Sequence, residues 1–217
     1  MLKKMLAGCV LAATLAGCAT SPTPRPPSPF EEAGIRSLLV VPVKNNSLNV
    51  DAPNYLLSTL SVPLAERGYY VFPVNTVKLV LEQEGFYEPA MVHEQDSAAL
   101  AALFGADAIM YVTINRWDAQ YAILSTTVTV DFSYRVVTAD GVEIWQAEKQ
   151  MQYTPQNNNN SGNPMADLLA AAIQAAVTKA KPNYMPLAEQ ANSAVISQIP
   201  KGPYARNPGS GTPESAP

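Results

Sequence analysis

The chain has 217 residues, with 14 lysines and arginines against 18 aspartates and glutamates and a formal net charge of −4. That acidic balance argues against a nucleic-acid binder, which carries a basic face, and against lateral binding to anionic lipid. Both cysteines, Cys9 and Cys18, lie in the first eighteen residues, so a fold built downstream of them has neither disulfide nor thiolate chemistry.

Met1 to Gly17 reads as a secretory signal. Lys3 and Lys4 give the positive start, Met5 to Leu15 is apolar apart from Thr14, and Ala16-Gly17 are the small residues a peptidase needs. The run is too short to span a bilayer, which takes about 20 apolar residues. Leu15-Ala16-Gly17-Cys18 resembles the lipobox of bacterial lipoproteins. The resemblance implies a diacylglyceryl group on the Cys18 thiol, cleavage after Gly17 and a mature chain starting at Cys18. Leu6-Ala7-Gly8-Cys9 repeats the four letters but leaves one apolar residue after Lys4, too few for a signal core. The alternative is an ordinary signal with an incidental cysteine. Ala19 after the cysteine, rather than aspartate, implies an outer-membrane address. Each buried methylene contributes about 0.8 kcal/mol, so two or three acyl chains anchor permanently.

Ala19 to Pro29 holds five prolines and no large apolar residue. It reads as an extended spacer, residues 18–29 with the anchor, and its eleven residues reach about 34 Å in polyproline geometry. The folded domain is expected over residues 30–200, and residues 201–217, rich in Pro, Gly and Ser, as a disordered tail.

Within the domain, Ser37 to Val43 is a continuous apolar run suited to a strand covered on both faces. Asn45-Asn46-Ser47 turns the chain, and Asp51 is placed to cap a helix with Pro53 in its first turn. Leu56, Leu57, Leu60 and Leu64 form its stripe. Pro63 should kink or restart it, with Ser61 as a second cap, and Gly68 stops it. Tyr69 to Phe72 is a short strand and Val74 to Glu84 a helix with Val77, Val80 and Leu81 inward. Ser97 is expected to cap a third helix over Ala98 to Phe104, ended by Gly105.

From Ala106 the period switches to two. Ala108 to Trp117 is a strand. Over Leu124 to Val136 the even residues are mostly apolar and the odd ones polar, which predicts one covered face and one wetter face. Asp140-Gly141 is a hairpin signal, and Val142 to Tyr153 returns antiparallel. Asn157 to Asn160 is a polar loop, and Asn163 caps a helix whose Met165, Leu168, Leu169, Ala172, Ile173, Ala176 and Val177 share one face. Pro182 closes it, and a last helix runs from about Pro186 to Ile199. The order predicts an α/β domain: a mixed sheet of about five strands packed with helices, two of them C-terminal. The Met165–Val177 stripe packs on the sheet or serves self-association, which would make a homodimer.

Chemistry is sparse. The one histidine, His93, stands beside Glu94 and Asp96, but the three are adjacent and no second histidine completes a usual zinc shell. A serine triad would need the same histidine, and no Gly-x-Ser-x-Gly elbow or phosphate-cradling loop is present. The reading is a polar loop, no enzyme, no metal and no cofactor. Trp117, Tyr121 and Trp145 form an aromatic set. If Ile114 and Ile144 point inward, Trp117 and Trp145 point outward and make a partner surface; otherwise they are simply residue types that strands favour.

Pro63-Leu64-Ala65-Glu66-Arg67-Gly68-Tyr69-Tyr70-Val71-Phe72-Pro73 and Phe104-Gly105-Ala106-Asp107-Ala108 resemble a family of Gram-negative lipoproteins. That family is known through a neisserial vaccine-candidate antigen and is often encoded beside a CsgG-like lipoprotein. The resemblance covers most of Ser37 to Ile199. It implies a fold similar to the TolB N-terminal domain and to the periplasmic parts of CsgG and LpoB. It also implies a periplasm-facing interaction domain that serves a CsgG-like envelope assembly. It brings no catalytic residues, and the chain lacks the transmembrane hairpins of CsgG. The alternatives are an LpoB-like activator of a peptidoglycan synthase, for which the spacer is short, and an envelope hydrolase.

Overall fold

The computed structural model describes residues 25–121, 126–153 and 184–205, without the side chains of residues 119–121, 126–127 and 153. The signal segment, Cys18, the Asn157–Asn160 loop, the helix over Met165–Val177 and the tail from residue 206 lie outside the described residues.

The first apolar run forms β1 (Ser37–Val40), with Leu38, Leu39 and Val40 wholly buried. It is buried on both faces because it pairs in parallel with β3 (Tyr70–Val71) on one side and with β4 (Ala108–Tyr121) on the other, under helices on both sides. β5 (Thr126–Thr138) and β6 (Glu143–Tyr153) follow antiparallel, and the Asp140-Gly141 turn between them puts Gly141 at φ +83°. The result is a mixed six-stranded sheet in the order β3-β1-β4-β5-β6. A two-residue strand that the sequence reading did not foresee, β2 (Lys44–Asn45), lies beside Thr113 and Ile114 of β4.

One face is covered by α1 (Pro29–Glu32), α2 (Ala52–Ser58), α3 (Ser61–Glu66) and α7 (Met185–Ile196). Their Phe30, Leu56, Leu64, Leu187 and Val195, with Leu60 from between α2 and α3, pack on Leu38, Val40, Met110, Val112, Ile114 and Phe132. The other face carries α4 (Val74–Gln83), α5 (Pro89–His93) and α6 (Ser97–Phe104), whose Val77, Leu81, Val92 and Leu100 meet Leu39, Val41, Ile109 and Tyr111. A polar knot joins three elements under the first layer. Asn192, 0 % exposed, donates from Nδ2 to the Leu56 carbonyl at 2.9 Å and to Thr59 Oγ1 at 2.7 Å, and its Oδ1 accepts from the Tyr134 hydroxyl at 2.8 Å.

Local chemistry departs from expectation at several ends. Pro63 does split the helical run into α2 and α3, but neither Asp51 nor Ser61 caps. Asn49 Oδ1 accepts instead from the Asp51 and Ala52 amides at 3.0 and 3.1 Å. α6 is capped by Asp96, which accepts from the Ala98 amide, and Ser97 is its buried first residue. His93, expected in a loop, ends α5, which Pro89 opens. Ser28 and Pro29 belong to the domain rather than to the spacer, since Ser28 and Glu31 close a capping box over α1. Lys201 to Ala205, expected as tail, pack on the α3–β3 turn: the Gly202 amide donates to the Arg67 carbonyl at 2.7 Å and the Tyr204 amide to the Gly68 carbonyl at 3.0 Å.

Asp107 staples the β1 and β4 starts. Its Oδ2 accepts from the Arg36 amide, the Ser37 amide and the Ser37 hydroxyl at 3.0, 2.8 and 2.9 Å. Partial burial pushes its pKa up, but these hydrogen bonds outweigh it and hold the carboxyl below its ordinary value.

Candidate functional site

The helices α4 to α6 reach only the start of β4 and the end of β5, so beyond Tyr111 one face of the long β4-β5-β6 sheet carries no described helix. Alternation fills it with polar side chains: Thr113 on β4, Thr129, Asp131, Ser133 and Arg135 on β5, and Gln146, Glu148, Gln150 and Gln152 on β6. Several are tied together. Asn115 Nδ2 donates to Ser133 Oγ at 2.6 Å and to Asp131 Oδ1 at 3.2 Å, and the exposed Arg116 guanidinium lies 3.1 Å from Asp118 Oδ2. Two shallow hollows mark the face. One, of about 440 Å³, lies between Thr113, Ser133, Arg135, Gln146 and Glu148; the other, of about 360 Å³, lies between Arg116, Thr129, Gln150 and Gln152.

At the rim, the Arg135 guanidinium carbon sits 4.3 Å over the Tyr111 ring, and the His93 ring meets the same tyrosine edge-on at 5.2 Å. His93 Nε2 contacts the Pro42 carbonyl at 3.0 Å. Burial pushes the imidazole pKa down, the Pro42 contact pulls it up, and the charges of Arg135 and Lys44 lower it further, leaving it below the ordinary value. Glu94 is exposed and Asp96 is committed to its cap, so the three neighbours in sequence do not converge. Among the described residues no three His, Cys, Asp or Glu side chains gather as metal ligands.

Trp117 and Trp145 do not make an outward patch. Trp117 is 3 % exposed and packs among Tyr55, Phe132 and Tyr184, and Trp145 is half-buried against the same cluster. The cause is a β-bulge. The register of β4 on β5 shifts between Ile114 and Arg116, so Asn115 is an extra residue, and Ile114 and Trp117 fall on one face although three apart. A second shift at Ile144 places Trp145 opposite inward-facing Val136. Tyr121 ends β4 opposite Thr126; its side chain lies outside the described residues. The open face of polar side chains, which a search for chemistry-bearing motifs passes over, was visible in the odd residues of the Leu124–Val136 alternation.

No described helix is long and apolar enough to cross a membrane. The family described as "Putative lipoprotein GNA1162-like" matches residues 27–205. A "Putative lipoprotein NMB1124/NMB1162" from Neisseria meningitidis serogroup B is 32% identical over 180 residues, covering 82% of this chain and 81% of that one. The crystal structure of lipoprotein GNA1162 from Neisseria meningitidis is similar with a TM-score of 0.55 at 32% identity, over 66% of this chain and 99% of that one. A PelC dodecamer from Paraburkholderia phytofirmans is similar at 12% identity with a TM-score of 0.48, over 79% of this chain and 89% of that one. With the mixed sheet and its helices in place, and a match spanning the whole folded unit, the chain belongs to the GNA1162-like lipoprotein family.

Proposed function

We propose that this lipoprotein is held in the outer membrane by acyl chains on Cys18, and that its non-enzymatic domain faces the periplasm and docks a protein partner on the open face of β4, β5 and β6. The partner is a CsgG-like lipoprotein, which makes this chain an accessory component of an envelope assembly or secretion complex. The carrying observation is the sheet itself. Strands of 14, 13 and 11 residues present a ladder of amides, hydroxyls and alternating charges on a face that the described helices leave open. Side chains held in rows on a rigid sheet lose little freedom on binding, and mixed charge gives register more than bulk affinity. The lipobox, the family and the resemblance to proteins encoded beside CsgG-like lipoproteins support the anchor and the partner.

The test uses the full acylated chain with a photo-crosslinking residue at Gln150 on the open face or at exposed Glu189 on α7. A CsgG-like lipoprotein should be captured from Gln150 and not from Glu189. Equal capture from both, or none from Gln150, overturns the docking face, and capture of a peptidoglycan synthase transfers the protein to the activator class. Cys18→Ser should release the chain from the membrane fraction; if it stays bound, the anchor is wrong.

A further inference from the structure

The first hollow of the open face, of about 440 Å³, is divided by charge. The exposed Arg135 of β5 and the exposed carboxylates of Glu143 and Glu148 of β6 all line it, together with Thr113 and Ser133. Strand register sets the polarity. Lys44 of β2 lies beside Thr113 of β4, Thr113 beside Ser133 of β5, and Ser133 beside Glu148 of β6. Residues paired across a ladder share a face, so one row crosses the sheet from a cation through two hydroxyls to a carboxylate. At about 4.8 Å per strand that row spans about 14 Å. Arg135 stands on the same face two residues along β5, in the row of Tyr111 and Gln146.

Opposite charges that share a hollow would be expected to close on each other. Here they do not: among the described residues Arg135, Lys44, Glu143 and Glu148 enter no ion pair. The guanidinium instead lies over the Tyr111 ring, 4.3 Å from its centroid. That platform is fixed. Tyr111 is 3 % exposed, its ring meets His93 edge-on at 5.2 Å, and His93 Nε2 contacts the Pro42 carbonyl at 3.0 Å. A guanidinium held flat on an aromatic ring keeps its N–H edge free for a carboxylate. It has also lost in advance much of the freedom that pairing would otherwise cost. Arginine and tyrosine are the residue types in which binding energy concentrates at interfaces.

We infer that this hollow reads charge on the docking partner: a partner segment bearing one carboxylate and one cationic side chain lies across the strands, its carboxylate on Arg135 and its cation on Glu148. The inference rests on the protein docking proposed for the open face and specifies its chemistry. Lys44 reinforces the positive side from β2, and Glu143 the negative side from β6. A segment of one sign throughout sets like charges against one wall and is rejected. The hollow therefore fixes the orientation of the partner as well as its identity.

The test uses the full acylated chain with the photo-crosslinking residue at Gln150, and the CsgG-like lipoprotein expressed beside it as probe. In that background Arg135→Gln should lower the crosslinked yield about 10-fold, the worth of a charge-assisted pair, and Glu148→Gln should lower it similarly. The sharper variant exchanges the two as Arg135→Glu with Glu148→Arg. It preserves net charge but reverses the polarity of the hollow, so capture should fall at least as far as with Arg135→Gln. Its far-UV spectrum and melting temperature should match the unsubstituted chain, because both side chains are exposed. Glu189→Gln on α7 should leave capture unchanged. Full capture by Arg135→Gln or by the exchange overturns the inference and leaves the docking face standing, as does an equal fall with Glu189→Gln. No capture by the chain with Arg135 and Glu148 intact overturns both.

Discussion

Asn192→Ala is the most informative substitution for the fold, because one amide joins α7, the end of α2 and the middle of β5. Burial holds the Tyr134 hydroxyl far above the ordinary tyrosine range, so it remains a donor wherever the protein is folded. Removing the amide leaves that buried donor without an acceptor, which costs about 1–3 kcal/mol. The space vacated in a fully buried site adds about 1 kcal/mol. Thr59 Oγ1 keeps its bond to the Tyr55 carbonyl at 2.9 Å, so the loss there is smaller. The total is about 3 kcal/mol, or a fall in melting temperature of roughly 6–12 °C for a domain of this size. Tyr134→Phe alone should cost about 1.5 kcal/mol, because it strands the Asn192 oxygen. The double variant should be less destabilised than the sum of the singles by about 1 kcal/mol, since neither orphan then remains. Urea unfolding followed by far-UV circular dichroism measures all three. A loss below about 1 kcal/mol for Asn192→Ala, or strict additivity in the double variant, would refute the knot as a coupled unit.

The remaining predictions concern acid stability, the β3 turn and the core tryptophan. His93 has a folded pKa below its ordinary value of 6.5, so the native state binds the proton less readily than the unfolded chain. Its neutral form therefore stabilises fully above about pH 6.5, and that contribution is lost on acidification through the lower folded value. Urea midpoints should fall from pH 7.5 to pH 5, and His93→Gln should flatten that segment. Gly68 sits at φ +91°, where an added Cβ would collide with Ala205. Gly68→Ala should cost about 2 kcal/mol or more and expose Lys201 to Ala205 to proteolysis, whereas a protected segment would contradict the packing. Among the described residues buried Trp117 Nε1 has no hydrogen-bond partner, so Trp117→Phe forfeits ring area but none of the hydrogen bonds described. It should cost about 1–2 kcal/mol and remove the blue-shifted fluorescence, and a loss larger than that of Asn192→Ala would be inconsistent.

The secondary elements were legible wherever one period ran unbroken. The buried β1, the α4 stripe of Val77 and Leu81, and the alternation of β5 stand where the pattern puts them. The two phrases that carry the family resemblance also have a physical reading: Gly68 turns against Ala205, and Asp107 staples β1 to β4. What failed did so where a single residue carried the decision. Asn115 adds one position to β4 and reverses the facing of everything after it, which no parity count reveals. The caps at Asn49 and Asp96 displaced neighbours of equal propensity, Asp51 and Ser97, because hydrogen-bond geometry decides between adjacent candidates. The Asn192 knot pairs residues 58 positions apart and more, beyond the reach of any local pattern. The open face was written in the odd residues of β5, but its meaning depended on knowing where the helices end.

The Asn115 bulge divides β4 into two stretches that are out of phase. As far as Tyr111 the strand lies between helices; after Asn115 its constraints among the described residues are β5 and the aromatic cluster. A deletion at that one position would leave Arg116 opposite Asp131 and Trp117 opposite Val130, so both stretches would keep their facing and only the local kink would go. One residue thus acts as a phase correction: the residues after Asn115 are written in the opposite parity, and the extra position returns the tryptophan to the apolar layer and the charges to the outside.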